Sequence, residues 1–168
     1  MKTKKIITTV TLLLSIFLFI SCGSARVVIP TPEDEVKNIE NTSNINSNFI
    51  KANEWMVESF NNAKSVIQFK DKQAGIVKGR YLMKEGSTIT SMYGTKIVVH
   101  PTFFSIITLR VKDNLARIEI DAPSGMYSQK DINGKQIGFT KELFLAEANK
   151  LIDNFDVYMK EKSSNDNW

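Results

Sequence analysis

From Ser105 to Asp121 apolar and polar side chains alternate with a period of two, interrupted only at Lys112-Asp113-Asn114. Ser105, Ile107, Leu109 and Val111 alternate with Ile106, Thr108 and Arg110, and Ala116, Ile118 and Ile120 alternate with Arg117, Glu119 and Asp121. A helix cannot use this pattern, because successive side chains would scatter around its axis. An extended chain places them on opposite faces. The interruption supplies the turn of a hairpin. One face is apolar and the other mixed, which predicts an antiparallel sheet covered on one side only.

The flanking chain supplies the cover. Phe49, Ala52, Met56 and Phe60 recur at helical spacing, with Trp55 widening the stripe and Lys51, Glu54 and Glu58 largely on the other side. This predicts a helix over 49–61, entered through the Asn- and Ser-rich stretch 41–48. Phe144, Ala148, Leu151, Phe155 and Tyr158 step by four and three, predicting a second helix capped by Thr140 and running to about Lys160. Between the helices, Ile67 and Phe69, then Val77, Gly79, Tyr81 and Met83, form another alternating hairpin around a turn at 71–75. Gly79 inside a strand suggests close approach by a neighbouring element. Val36 to Ile39 and Lys96 to Val99 read as further strands, the latter closed by His100-Pro101. Glu85-Gly86-Ser87 reads as a break, and 122–138 as a loop containing an Asn133-Gly134 turn. The expected class is α+β, an antiparallel sheet with helices packed on one face, in the order β-α-β-β-β-β-α.

The N-terminus gives an address. Lys2, Lys4 and Lys5 precede an apolar run from Ile6 to Ile20, and Ser21 precedes Cys22, the only cysteine of the chain. This is the layout of a secretory signal. As a helix, Ile6 to Ile20 would rise about 22 Å, short against a hydrocarbon core of about 30 Å. An uncleaved anchor and cleavage at an ordinary peptidase site remain alternatives. Phe19-Ile20-Ser21-Cys22 resembles the lipobox of bacterial lipoproteins, with Phe19 where leucine is commonest. The resemblance implies acylation of Cys22 as the first residue of the mature protein. Gly23 after the cysteine leans toward the outer membrane. The expected organisation is a lipoprotein signal peptide over 1–21, a Pro-containing tether over 22–35, one domain over 36–160 and a polar tail over 161–168. Residues 1–21 hold three lysines and no acid, so the 22 basic and 18 acidic side chains of the whole chain become 19 and 18. A net charge of +1 in the mature protein argues against a nucleic-acid partner. A lipidated Cys22 leaves the domain without a thiol, hence without a disulfide or a cysteine metal site.

The blocks Ala52-Asn53-Glu54-Trp55, Ser65-Val66-Ile67-Gln68-Phe69-Lys70-Asp71, Ala74-Gly75 and Gly79 resemble a domain of unknown function found in secreted bacterial lipoproteins. The resemblance covers roughly residues 35–122. It implies a fold like that of the TATA-box-binding protein, and no mechanism.

Motifs that would name a reaction are absent from the sequence: it contains no G-x-S-x-G, P-loop, dinucleotide or EF-hand pattern. His100 is the only histidine and reads as structural. Glu33-Asp34-Glu35 reads as a solvated run in the tether, and Asp153 and Asp156 as the polar side of the last helix. Lys78, Arg80 and Lys84 share one face of a strand and form the candidate contact surface for an acidic glycan or protein. Aromatic residues at Tyr93, Phe103-Phe104 and Tyr127 lie near strand ends. The expectation is a non-catalytic, lipid-anchored interaction module of the cell envelope, with no cofactor, no metal and no catalytic residue. The alternative is an envelope hydrolase working with acids that the sequence does not single out.

Overall fold

The computed structural model describes residues 25–60, 65–131 and 133–161, apart from the side chains of Lys96 and Val98. Cys22, the signal segment and residues 162–168 lie outside the described residues.

The main layer is a five-stranded antiparallel sheet in the order β2-β8-β7-β4-β3. Its strands are β2 (Glu35–Glu40), β3 (Val66–Asp71), β4 (Ile76–Lys84), β7 (Phe103–Lys112) and β8 (Leu115–Ile120). The alternating stretch 105–121 forms β7 and β8 at the centre, in register Ile107 to Ile120 and Leu109 to Ile118. Ile107, Leu109, Ala116, Ile118 and Ile120 are fully buried. Helix α1 (Ile45–Ser59) lies over β7 and β4, and α2 (Lys141–Lys160) over β2 and β8. Trp55, Met56, Phe144 and Phe155 fill the space beneath them. Each such side chain contributes about 1.5–3 kcal/mol on burial. The α+β class with helices on an antiparallel sheet is therefore present.

The element order is richer than expected. Strand β1 (Val27–Val28) lies inside the segment read as a tether and pairs with β9 (Tyr127–Lys130). β9 also pairs with β10 (Gln136–Phe139) around the Asn133-Gly134 turn, so the stretch read as a loop is largely a hairpin. β5 (Ser87–Thr90) and β6 (Lys96–His100) form a separate two-stranded hairpin. The run broken at Gly86 resumes through an irregularity between Ser87 and Thr88. Glycine is needed at that position, because a Cβ on Gly86 would collide with backbone atoms of His100 and Pro101.

Helix α1 begins four residues earlier than its apolar stripe predicted, because Asn44 caps it, accepting from the Ser47 amide at 2.9 Å. Asn48, in the first turns of α1, is fully buried. Its side-chain amide donates toward Lys112 O at 2.8 Å, with Ser43 O and Asn41 Oδ1 both at 3.2 Å. The Ile45 amide donates to Asp113 Oδ1 and the Asn114 amide to Ser43 O. The start of α1 is thereby stitched to the β7–β8 turn. At its other end Phe60 fills the space that a side chain at Gly79 would occupy, which explains that glycine. Lys51, expected on the solvent side, is buried because the end of α2 crosses above it, and its ammonium donates to the Glu161 carbonyl. Asn48→Ala leaves buried acceptors unpaired and is expected to cost about 2–3 kcal/mol. Exposed Glu54→Ala is expected to stay within about 0.5 kcal/mol. Urea midpoints at unchanged slope measure both.

Candidate functional site

Two helical stripes face each other across an open cleft of about 390 Å³. Trp55, Glu58 and Ser59 occupy neighbouring turns of α1. Glu147, Lys150, Leu151, Asn154 and Tyr158 occupy successive turns of α2. These spacings of three and four place each set on one side of its helix. Tyr81 of β4 rises from the sheet between them.

Hydrogen bonds hold the walls. Trp55 Nε1 donates to Asn154 Oδ1 at 2.6 Å, and the Trp55 and Phe155 rings meet edge to face at 4.9 Å. The Tyr81 hydroxyl donates to Glu147 Oε1 at 3.2 Å, and the Tyr158 hydroxyl to Glu58 Oε1 at 3.3 Å. Burial, then the charge of Glu147 and the bond to it, push the Tyr81 phenol up to about 12. Burial and the charges of Glu58 and Glu54 also raise Tyr158. Both phenols stay protonated near neutral pH and donate to the carboxylates. Each carboxylate keeps further acceptor sites for a ligand, with the Lys150 ammonium as a donor alongside. The sequence hid this site. Tyr158 continues the core stripe of α2, but at the last turn Met159 takes the buried position and Tyr158 turns to the cleft.

The residues singled out from the sequence are distributed elsewhere. Lys78 and Arg80 lie on the sheet face away from the helices, whereas Lys84 does not join them. Lys84 follows an irregularity between Leu82 and Lys84, and its ammonium donates to the Gly138 carbonyl of β10. The Arg80 guanidinium stacks over the Phe104 ring at 3.5 Å. Lys78 stands in the row Phe69-Lys78-Thr108-Glu119-Val36 across the sheet. This face is mixed in charge, since the carboxylates of Asp34, Glu119 and Asp121 gather there with oxygens within 4.8 Å of one another. Asp34 accepts from the Ala122 amide at 2.8 Å, so part of the run read as solvated is tied to the sheet. Burial, then the charges of Asp34 and Glu119, raise the Asp121 carboxyl, with Lys78 opposing. Sequence spacing could not show this trio, because β-sheet pairing assembles it across about ninety residues.

His100 Nδ1 lies 2.6 Å from the Tyr127 hydroxyl, at the junction of the β5–β6 hairpin with the three-stranded sheet. Asp156 is largely shielded at the seam between α2 and the β2 edge. It pairs with Lys160 at 2.7 Å and with Lys37 at 3.0 Å, while Asp153 lies 3.6 Å from Lys37 on the solvent side. The bond from Lys160, followed by that from Lys37, holds the Asp156 carboxyl below its ordinary range. Among the described residues no helix is long and apolar enough to cross a membrane.

No protein-family model matches the sequence, and no curated protein matches it. Among solved structures, the fold is similar to the crystal structure of a DUF4468 family protein from Bacteroides ovatus. Identity is 13%, coverage is 80% of this chain and 92% of that one, and the TM-score is 0.47.

The two shifted aspartates predict opposite responses to pH. The depressed Asp156 contributes stability above the ordinary carboxylate value of about 3.9, and this is lost as pH falls through its lower folded value. Asp156→Asn is therefore expected to weaken the fold at pH 7 and to flatten its acid limb. The raised Asp121 carries a penalty that builds as pH rises from the ordinary value through its higher folded value. Asp121→Asn is expected to stabilise the fold at neutral pH, with the gain fading below about pH 4. Urea unfolding at a series of pH values reads both signs.

Proposed function

We propose that this chain is an exported, lipid-anchored protein of the bacterial cell envelope whose folded domain is a non-catalytic binding module, and that the cleft between α1 and α2 is its binding site. The observation that carries the reading is the pairing of two carboxylates, Glu58 and Glu147, with tyrosine hydroxyls in one open cleft beside Lys150 and Asn154. Such a lining offers acceptors for hydroxyl groups, a cationic donor and the edges of aromatic rings. It suits a hydroxyl-rich ligand, and a glycan segment is the class of that chemistry accessible in an envelope. The signal segment and the lipobox-like approach to Cys22 support the location. The Tyr81 and Tyr158 hydroxyls donate to the two carboxylates and serve as fixed contacts of the cleft wall.

Titration with oligosaccharides released from the cell envelope, followed by Trp55 fluorescence in a Trp168→Phe background, tests the assignment. Glu147→Gln and Glu58→Gln are each expected to weaken binding by about ten-fold or more, while the unfolding midpoint moves little. Lys78→Glu is expected to leave affinity unchanged. If affinity instead falls with Lys78→Glu and survives the cleft variants, the site belongs on the open sheet face. If the oligosaccharides are cut and Glu147→Gln abolishes the cutting, the protein is a hydrolase and the binding-module reading is wrong.

A further inference from the structure

We infer that the β5–β6 hairpin is a second membrane contact, its Met92-Tyr93 tip seating in the bilayer interface next to the acylated Cys22; this rests on the lipid-anchor reading above. The hairpin is a sheet of its own, pairing with no other strand among the described residues. At its tip Met92 is 97% and Tyr93 92% exposed, although both are large apolar side chains. Ile89 and Ile97, directly paired across the two strands, are also exposed. Between Ser87 and Val99 the sequence contains one charged residue, Lys96. A nearly uncharged projection with an apolar tip topped by tyrosine matches the membrane interface, where amphipathic rings sit at headgroup level.

The position of the N-terminus selects the bilayer over other occupants. The Arg26 guanidinium stacks over the Tyr127 ring at 4.2 Å and Nη2 donates to the Val99 carbonyl at 3.4 Å. The Tyr127 hydroxyl is in turn joined to His100 at the foot of β6. Arg26 is thus fixed to the base of the hairpin. Four chain steps separate it from Cys22, a reach of at most about 14 Å. The six steps from Val99 to Tyr93 extend about 20 Å at about 3.3 Å per residue. The acyl chains therefore enter the bilayer within a hairpin's length of the hairpin's own base. With so short a leash the domain has little room to stand away from the surface. The nearby exposed Val27 and Val28 of β1 add to the apolar character of this end. The acyl chains supply the affinity. The hairpin sets the orientation, turning the far end of the sheet, at the β3–β4 turn, away from the membrane.

The test uses the full-length chain produced in its lipidated form and reconstituted into phosphatidylethanolamine–phosphatidylglycerol vesicles. With Cys22 acylated, Met92→Cys supplies a single free thiol for an environment-sensitive fluorophore. Lys72→Cys, in the exposed β3–β4 turn, is the reference. The expected result is a blue-shifted emission at position 92, quenched by doxyl-labelled lipid several-fold more than at position 72. Adding Tyr93→Asp should reduce that quenching. Equal, weak quenching at the two positions in a chain shown by mass spectrometry to be acylated overturns the hairpin contact and leaves the anchor intact. A blue shift at 92 without lipid quenching also overturns it and assigns the tip to a second copy of the chain. A chain recovered with Cys22 unmodified overturns the anchor and the hairpin contact together.

Discussion

The one-sidedness of the central β7–β8 ladder governs the rest of the architecture. Ile107, Leu109, Ile118 and Ile120 present a continuous apolar face with no residual exposure. The opposite face carries Arg110, Arg117 and Glu119, which need solvent. Only one side can be roofed, so both helices must share it. Chain order then fixes how they share it. β2 and β3 occupy opposite edges of the sheet, and α1, which connects them, has to cross the layer. It settles over β7 and β4 and leaves β2 and β8 to α2.

Polar links lock a layer arrangement that hydrophobic contact alone leaves free to slide. Apolar packing is non-directional. A buried hydrogen-bonded side chain needs its partner at a set distance and direction, and an ion pair adds a local restraint. Asn48 pins the start of α1 to the β7–β8 turn, Trp55 Nε1 ties α1 to Asn154 of α2, and Lys37 ties the β2 edge to Asp156. The cleft exists because these links set the separation of the helices, and its carboxylates are positioned by Tyr81 from the sheet below and by Tyr158 from the facing helix. The proposed binding chemistry therefore follows from the packing of the roof rather than from any special loop.

At the other end of the domain a cluster around Tyr127 joins three sheets. The ring stacks near His100 and packs by Phe103, itself 4.9 Å from Phe139, and Arg26 covers the outer face. The Lys84 ammonium reaches the Gly138 carbonyl across the same junction. His100, Lys84 and Arg26 are far apart in the sequence. In the fold they are parts of one joint at the base of the projecting hairpin.

The period-two alternation of 105–121, the helical stripes around Trp55 and Phe155 and the Thr140 cap were legible in the sequence, because each depends on neighbours a few residues away; Gly79 signalled a close approach, but only the fold shows that Phe60 makes it. The short strands β1, β5, β9 and β10 were not. Two to four residues are too few to show a period, and Asp131, Gly134 and Lys135 dilute the β-forming residues around β9 and β10, leaving the Asn133-Gly134 turn as their only trace. Local pattern was enough for the class of the fold, an amphipathic sheet in need of a helical roof, since burial of apolar faces follows from the spacing of apolar residues. Which polar groups meet depended on the three-dimensional packing: Tyr81 with Glu147, Tyr158 with Glu58, Asp34 with Asp121, and Arg26 with Val99. These partners are brought together by strand register and helix crossing, and a linear pattern holds no record of distance between residues so far apart in the chain.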